Sequence, residues 1–206
     1  MLKERYALEK ARLAEIILEH DGDIDHPVFG EGCARSPLIM FIGEAPGREE
    51  AACGRPCVGK AGKQLDAMLE LAGIDRAETF VTNAVKYRPF RQNGSRTSNR
   101  TPSQQEIRDG LSLLREEIEI VRPSVIATLG NVPLSAVISL ASGYVAPVTV
   151  GSAHGAPTVY QIGGRPQRVF PLYHPAASIY NRELKPVLEH DLALLGEYAR
   201  ALRSDD

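Results

Sequence analysis

Apolar and polar positions fall along this chain in two kinds of block. Four short apolar runs, at residues 38–42, 79–85, 124–129 and 169–173, read as strands buried on both faces. Between them lie segments whose apolar residues recur at helical spacing. Residues 2–20 present Leu2, Tyr6, Leu13, Ile16 and Ile17 to one side. A helix from Lys60 carries Leu65, Met68, Leu69 and Leu71 to a stop at Gly73. Another begins after Ser103, whose hydroxyl and Glu106 three residues on have the spacing of a capping box, and carries Ile107, Leu111, Leu114 and Ile118. Residues 185–202 close the chain as a helix, and residues 148–150 and 158–162 read as short extra strands. Strands alternating with helices predict an α/β fold with a mostly parallel sheet covered on both faces. No internal repeat or linker interrupts the pattern, so residues 1–206 are expected to form one domain.

Two connectors stand out. Residues 21–37 are rich in Gly, Asp and Pro. Residues 86–101 form a long basic loop holding Lys86, Arg88, Arg91, Arg96 and Arg100 with no acidic residue, a length that usually signals function or disorder.

Composition narrows the function classes. The chain has 206 residues, 43% of them hydrophobic, and a net charge of -2, so any contact with a polyanion must rest on a local basic patch. No apolar run approaches the ~18 residues of a membrane span, and the charged N-terminus has no signal-peptide core. Three cysteines (Cys33, Cys53 and Cys57) form no CxxC pair, which argues against a disulfide framework or a structural zinc site. A cytoplasmic protein is expected.

The chemistry gathers where strands end. Glu44 follows the first strand inside Gly43-Glu44-Ala45-Pro46-Gly47, a turn that is otherwise nearly all backbone. It suits either an exposed turn residue or a pocket carboxylate. Asn83 lies in an apolar strand, where its amide must be satisfied by loop backbone or by the edge of a ligand such as a nucleobase. His174 ends the last strand, with Pro175 holding it extended, as a packed residue or as a catalyst. Residues 54–62 are not a phosphate-binding P-loop, because Ala61 stands where Ser or Thr is needed and no strand precedes. Their glycines leave open a backbone cradle for a DNA phosphate or a base.

Taken in order, these segments resemble the uracil-DNA glycosylase superfamily, closest to its thermostable iron–sulfur branch, family 4. The likeness is carried by Gly43 to Gly47, Gly54-Arg55-Pro56, Val58-Gly59, Thr82-Asn83-Ala84-Val85-Lys86, Arg88-Pro89, Thr101-Pro102, Arg122-Pro123, and His174-Pro175-Ala176-Ala177 with Asn181. It implies a three-layer α/β/α sandwich around a four-stranded parallel sheet. It also implies hydrolysis of the N-glycosidic bond of uracil flipped out of DNA, in base excision repair by a monomer. By that resemblance His174 donates to the O2 region of the leaving base, and Glu44 positions water. Asn83 reads the Watson–Crick edge, backbone from Gly43 to Ala45 holds the base carbonyls, and Glu50 crowds C5 to exclude thymine. Ser178, Ile179, Tyr180 and Asn181 enter the minor groove, while Lys86, Arg88, Arg96 and Arg100 contact DNA.

Three departures qualify the resemblance. The branch's four cluster cysteines correspond to Leu8, Ala11, Tyr87 and Gly110, so no iron–sulfur cluster and no other metal is expected. Leu8 and Ala11 are instead expected to pack the N-terminal helix. The aromatic that stacks on the flipped base is Cys57 here, which leaves open a larger base (hypoxanthine or xanthine), or a DNA- or base-binding homologue with weakened catalysis. Residues 96–100 hold no His, against the branch of the superfamily that crosslinks to DNA.

Overall fold

The computed structural model describes residues 1–19, 25–144 and 148–204. In chain order its elements are α1 (Leu2–Glu19), β1 (Glu31–Gly32), β2 (Ile39–Gly43), α2 (Arg48–Cys53), α3 (Lys60–Leu71), β3 (Thr79–Asn83), β4 (Phe90–Asn93), β5 (Arg96–Asn99) and α4 (Gln104–Val121). There follow β6 (Val125–Leu129), α5 (Asn131–Ser142), β7 (Thr158–Ile162), β8 (Arg165–Leu172), α6 (Ala177–Tyr180) and α7 (Leu184–Ser204).

The central sheet runs β1-β3-β2-β6-β8-β7. Its inner four strands are parallel, as expected, but antiparallel β1 and β7 flank them, so the sheet is six-stranded and mixed. Alternation along β2 shows why its sequence is apolar throughout. Met40 and Ile42 pack toward α4 and α5 with Leu114, Ile118 and Val137, whereas Ile39 and Phe41 pack toward α3 and α7 with Leu65, Leu69 and Leu192. A strand covered by helices on both faces has no polar side to show.

The Ser103 cap forms as expected: its hydroxyl accepts from the Glu106 N–H, and the Glu106 carboxylate accepts from the Ser103 N–H. Other expectations need correction. Residues 86–101 are not structureless, because β4 and β5 pair as a hairpin with Asn93 opposite Arg96. Gly94, at φ +60, takes the first loop position, a place that two-residue hairpin turns give to glycine. Residues 150–152 form a 3-10 turn rather than a strand, β8 begins at Arg165, and the short α2 has no counterpart in the periodicity. On α1, Leu8 is 68% exposed and Ala11 is exposed, so neither packs the helix; Tyr6, Glu9 and Leu13 face inward instead. The side chains of Ile16 and Ile17 lie outside the described residues.

An ionic knot joins α1, β3 and α4. The Lys86 ammonium, 2% exposed, donates to Glu117 Oε2 at 2.6 Å and to Thr82 Oγ1 at 2.7 Å. Tyr6 Oη donates to Glu117 Oε1 at 2.6 Å. Burial pulls the Lys86 pKa down and pushes that of Tyr6 up. Removing one partner of such a pair strands a charge in the interior, at about 3–5 kcal/mol. Lys86→Met is therefore expected to lower unfolding free energy by roughly that amount in a urea titration, and Lys86→Met with Glu117→Leu to recover most of it.

Candidate active site

Because the four inner strands are parallel, their carboxyl ends share one edge of the sheet, where open α/β sheets bind ligands. A cleft of about 620 Å³ opens there. The ends of β2, β3 and β6, with the segment after β8, bring Glu44, Asn83, Leu129 and His174 onto its walls.

Gly43 ends β2 opposite Asn83 in the parallel register. A Cβ at Gly43 would lie 2.4 Å from Asn83 Oδ1, so only glycine lets this amide stand in the cleft wall. Asn83 is 8% exposed, and among the described residues its side chain has no hydrogen-bond partner. An amide that lines a cleft without a protein partner is free to offer a ligand edge an acceptor and two donors. The next turn is pinned by β3, since Ala84 N–H donates to Gly43 O at 2.9 Å and Val85 N–H to Glu44 O at 3.0 Å. The Glu44 carboxylate, half-buried and without a partner among the described residues, is thereby held on the cleft wall, and burial raises its pKa.

His174 stands on the same cleft. Its Nδ1 lies 3.2 Å from the Ala176 N–H and accepts from it. That hydrogen bond requires an unprotonated Nδ1, so the neutral ring carries its proton on Nε2 as a donor. Burial lowers the His174 pKa, partly opposed by the negative charge of Glu50, and favours this neutral form. The turn after it is braced by Ser178, whose hydroxyl donates to Pro175 O at 2.8 Å and accepts from Gln64 Nε2 at 3.1 Å.

Cys57 lines the same cleft with a left-handed backbone, φ +58. Burial pushes its thiol pKa up to about 11, so it stays a neutral thiol with little nucleophilic character. Glu50 is buried, with both carboxylate oxygens accepting backbone N–H groups. At the rim, Ile179 and Tyr180 of α6 are 47% and 90% exposed, a projecting apolar pair beside the cleft.

The cleft thus gathers Gly43, Glu44, Ala45, Glu50, Cys57, Asn83, Arg100, His174, Ile179 and Tyr180. Among the residues expected to meet DNA, Lys86, Arg88 and Ser178 are corrected by their burial, whereas Arg96 and Asn181 stay exposed. Lys86 is sealed in the ionic knot and cannot reach a phosphate. Arg88, 4% exposed, donates to Asn99 Oδ1 at 2.7 Å and braces the hairpin. Ser178 is buried in its brace, and the Asn181 carboxamide accepts from Glu183 N–H at the start of α7. Arg96 is exposed on the hairpin, away from the cleft walls. Arg100 reaches the wall with its charge paired to both oxygens of Glu106. Sequence reasoning missed Arg48 and Lys60, exposed basic residues on the cleft wall in the first turns of α2 and α3. The signal was the Gly59-Lys60 step, a glycine cap followed by a basic first helical residue.

The residues at Leu8, Ala11, Tyr87 and Gly110 do not fit an iron–sulfur cluster. The first two are exposed alkyl groups, Tyr87 is a buried ring, and a Cβ on Gly110 would lie 2.3 Å from the Ala84 carbonyl oxygen. Among the described residues no group of three or more His, Cys, Asp or Glu is arranged to hold a metal ion. Nor is any described helix long and apolar enough to cross a membrane.

Comparison with known proteins gives the chain's family. The profile of the "Uracil DNA glycosylase superfamily" matches residues 29–199. A "Type-4 uracil-DNA glycosylase" of Sulfurisphaera tokodaii is 38% identical over 171 residues, covering 82% of this chain and 73% of that protein. Proteins of the same name from Saccharolobus solfataricus and Thermotoga maritima are 38% and 35% identical, covering 82% and 80% of this chain and 74% and 79% of theirs.

Proposed function

The chain belongs to the uracil DNA glycosylase superfamily, and from that premise we propose that it hydrolyses the N-glycosidic bond of uracil flipped out of DNA, as a monofunctional glycosylase that starts base excision repair. One observation carries the reading. A carboxylate (Glu44), an amide (Asn83) and a neutral imidazole, none of them committed to another side chain, share one cleft at the carboxyl edge of the sheet.

The chemistry asks for these groups. Extruding a base costs a few kcal/mol, least where pairing is already weak. Asn83 offers the extruded base an acceptor and two donors for its Watson–Crick edge. As the C1′–N1 bond breaks, its electron pair leaves with the base and the sugar becomes oxocarbenium-like. The Nε2–H of His174 donates to the developing anion at the base carbonyl, a preorganised electrostatic stabilisation. Glu44 offsets the sugar's positive charge and accepts a proton from the water that adds to C1′, and that proton returns to solvent or to the departing base. Tyr180 and Ile179 fill the vacated stack from the minor groove, as apolar wedges do elsewhere. Arg48 and Lys60 supply phosphate contacts at the cleft mouth. The proposal extends to a monomer working without a cluster in the cytoplasm, a reducing compartment that suits three free cysteines.

Labelled duplex and single-stranded oligonucleotides carrying uracil, hypoxanthine or xanthine test the reading. Abasic-site formation at uracil is expected; none at any base, with DNA binding retained, would sink it. A second reading, excision of deaminated purines, is favoured by Cys57, whose small side chain leaves room where an aromatic would stack, and cleavage of hypoxanthine above uracil would establish it. Base–aromatic stacking is worth about 1–3 kcal/mol. Cys57→Phe, at a φ already held left-handed by a side-chain-bearing residue, is therefore expected to raise kcat/KM on uracil by roughly tenfold.

A further inference from the structure

Glu50 stands at N3 of α2 and is 9% exposed, yet its carboxylate makes no ion pair among the described residues. Its oxygens go to the backbone of two separate segments that line the cleft. Oε2 accepts from Gly47 N–H at 3.0 Å, on the turn that carries Glu44. Oε1 accepts from Val58 N–H at 3.1 Å and from Gly59 N–H at 2.7 Å, on the loop that carries Cys57. The carboxylate thus sits at the caps of two helices, since Gly47 caps α2 and Gly59 caps α3.

The glycines on either side are fitted to it. A Cβ on Gly47 would lie 2.6 Å from Oε2, and one on Gly59 would lie 2.9 Å from Oε1. Both residues have ordinary negative φ, −86° and −76°, so the lack of a side chain matters here and backbone freedom does not. Two loops separated in sequence have left the same space for one carboxylate.

We propose that Glu50 is a positioning residue: it clamps the turn bearing Glu44 to the loop bearing Cys57, and so sets the gap into which the flipped base fits. The inference rests on the glycosylase reading and deepens it by giving the width of the base pocket a cause. It differs from a steric role at C5 in what it needs. Bulk alone would be served by any side chain of this size, whereas a clamp needs two acceptor oxygens for three N–H donors. A further consequence follows from place, since the same negative charge opposes the effect of burial on the His174 ring.

Glu50→Gln separates the two roles, because it keeps the volume and turns an NH2 group toward at least one backbone donor. Two readouts on the full chain decide. In hydrogen–deuterium exchange, the amides of Gly47, Val58 and Gly59 are expected to exchange at least tenfold faster in the variant. In single-turnover assays at saturating enzyme, uracil excision is expected to fall at least tenfold, while affinity for a duplex carrying an abasic-site analogue stays within threefold. Equal loss of binding and rate would indicate general disruption and overturn the clamp. So would a wild-type rate, or slowed excision with unchanged amide exchange.

If Glu50→Gln fails to fold, Gly59→Ala presses the same clamp at a φ that alanine accepts, and the same pair of effects is expected; their absence overturns the proposal. Wild-type protein run alongside keeps the two claims apart. Inactivity of the wild type on every base defeats the glycosylase reading. The amide exchange still reports whether Glu50 holds the two loops.

Discussion

His174→Ala is expected to slow uracil excision by about 10²- to 10³-fold, the usual cost of deleting one preorganised donor to a developing anion. The reason lies in how the ring is held. Ala176 N–H occupies Nδ1 and so assigns the proton to Nε2. A neutral donor is well matched to a base anion, because no charge has to be desolvated before the bond breaks. Single-turnover cleavage of a uracil duplex measures the effect, and affinity for an abasic-site duplex should change little, since the donor acts on charge that appears only during the reaction. A rate within threefold of wild type would remove His174 from the mechanism. The pH dependence has a definite sign. Burial lowers the His174 pKa below its ordinary 6.5, so the neutral ring persists into mildly acid solution. Its loss appears only as pH falls through that lowered pKa, where protonated Nδ1 can no longer accept from Ala176.

The sequence made some of this plain and hid the rest for identifiable reasons. The inner strands were legible because two-sided burial leaves β2 wholly apolar and β6 apolar but for Thr128, and the positions of Glu44 and His174 followed from where such runs stop. Of the edge strands, β7 was legible at residues 158–162, whereas β1, only two exposed residues, carries no such signal. Lys86 and Arg88 read as surface charges because most charges are, while their partners are remote. Glu117 lies thirty-one residues from Lys86, and Asn99 lies eleven from Arg88 across a hairpin. The hairpin did leave a mark in Asn93-Gly94, overridden by the density of basic residues around it. The contacts of Ser178 and Glu50 were hidden for another reason. Glu50 bonds only to backbone, and Ser178 to the Pro175 carbonyl and to Gln64, remote in sequence; neither kind of partner is visible in a string of side chains.

Glu44→Gln is expected to have the second large effect, lowering excision by about 10²- to 10⁴-fold, the range associated with a positioned general base. The amide keeps the shape and the turn, whose anchoring runs through the Glu44 carbonyl rather than its side chain. The loss therefore reports charge and basicity alone. Because burial raises the Glu44 pKa above 4.5, the ionised form is depleted at a higher pH than an ordinary carboxylate would be. Wild-type rate should fall as pH drops through that raised value, and the residual rate of Glu44→Gln should lack that limb. The His174 limb moves oppositely, down from 6.5, so the two groups approach one another on the pH axis. Comparing pH profiles of the two single variants assigns each limb to its residue, since each variant deletes one and leaves the other. If Glu44→Gln keeps the full acid limb and a rate near wild type, the carboxylate takes no part in activating water. The oxocarbenium-like sugar would then have to be captured by water without a base, with His174 carrying the catalysis.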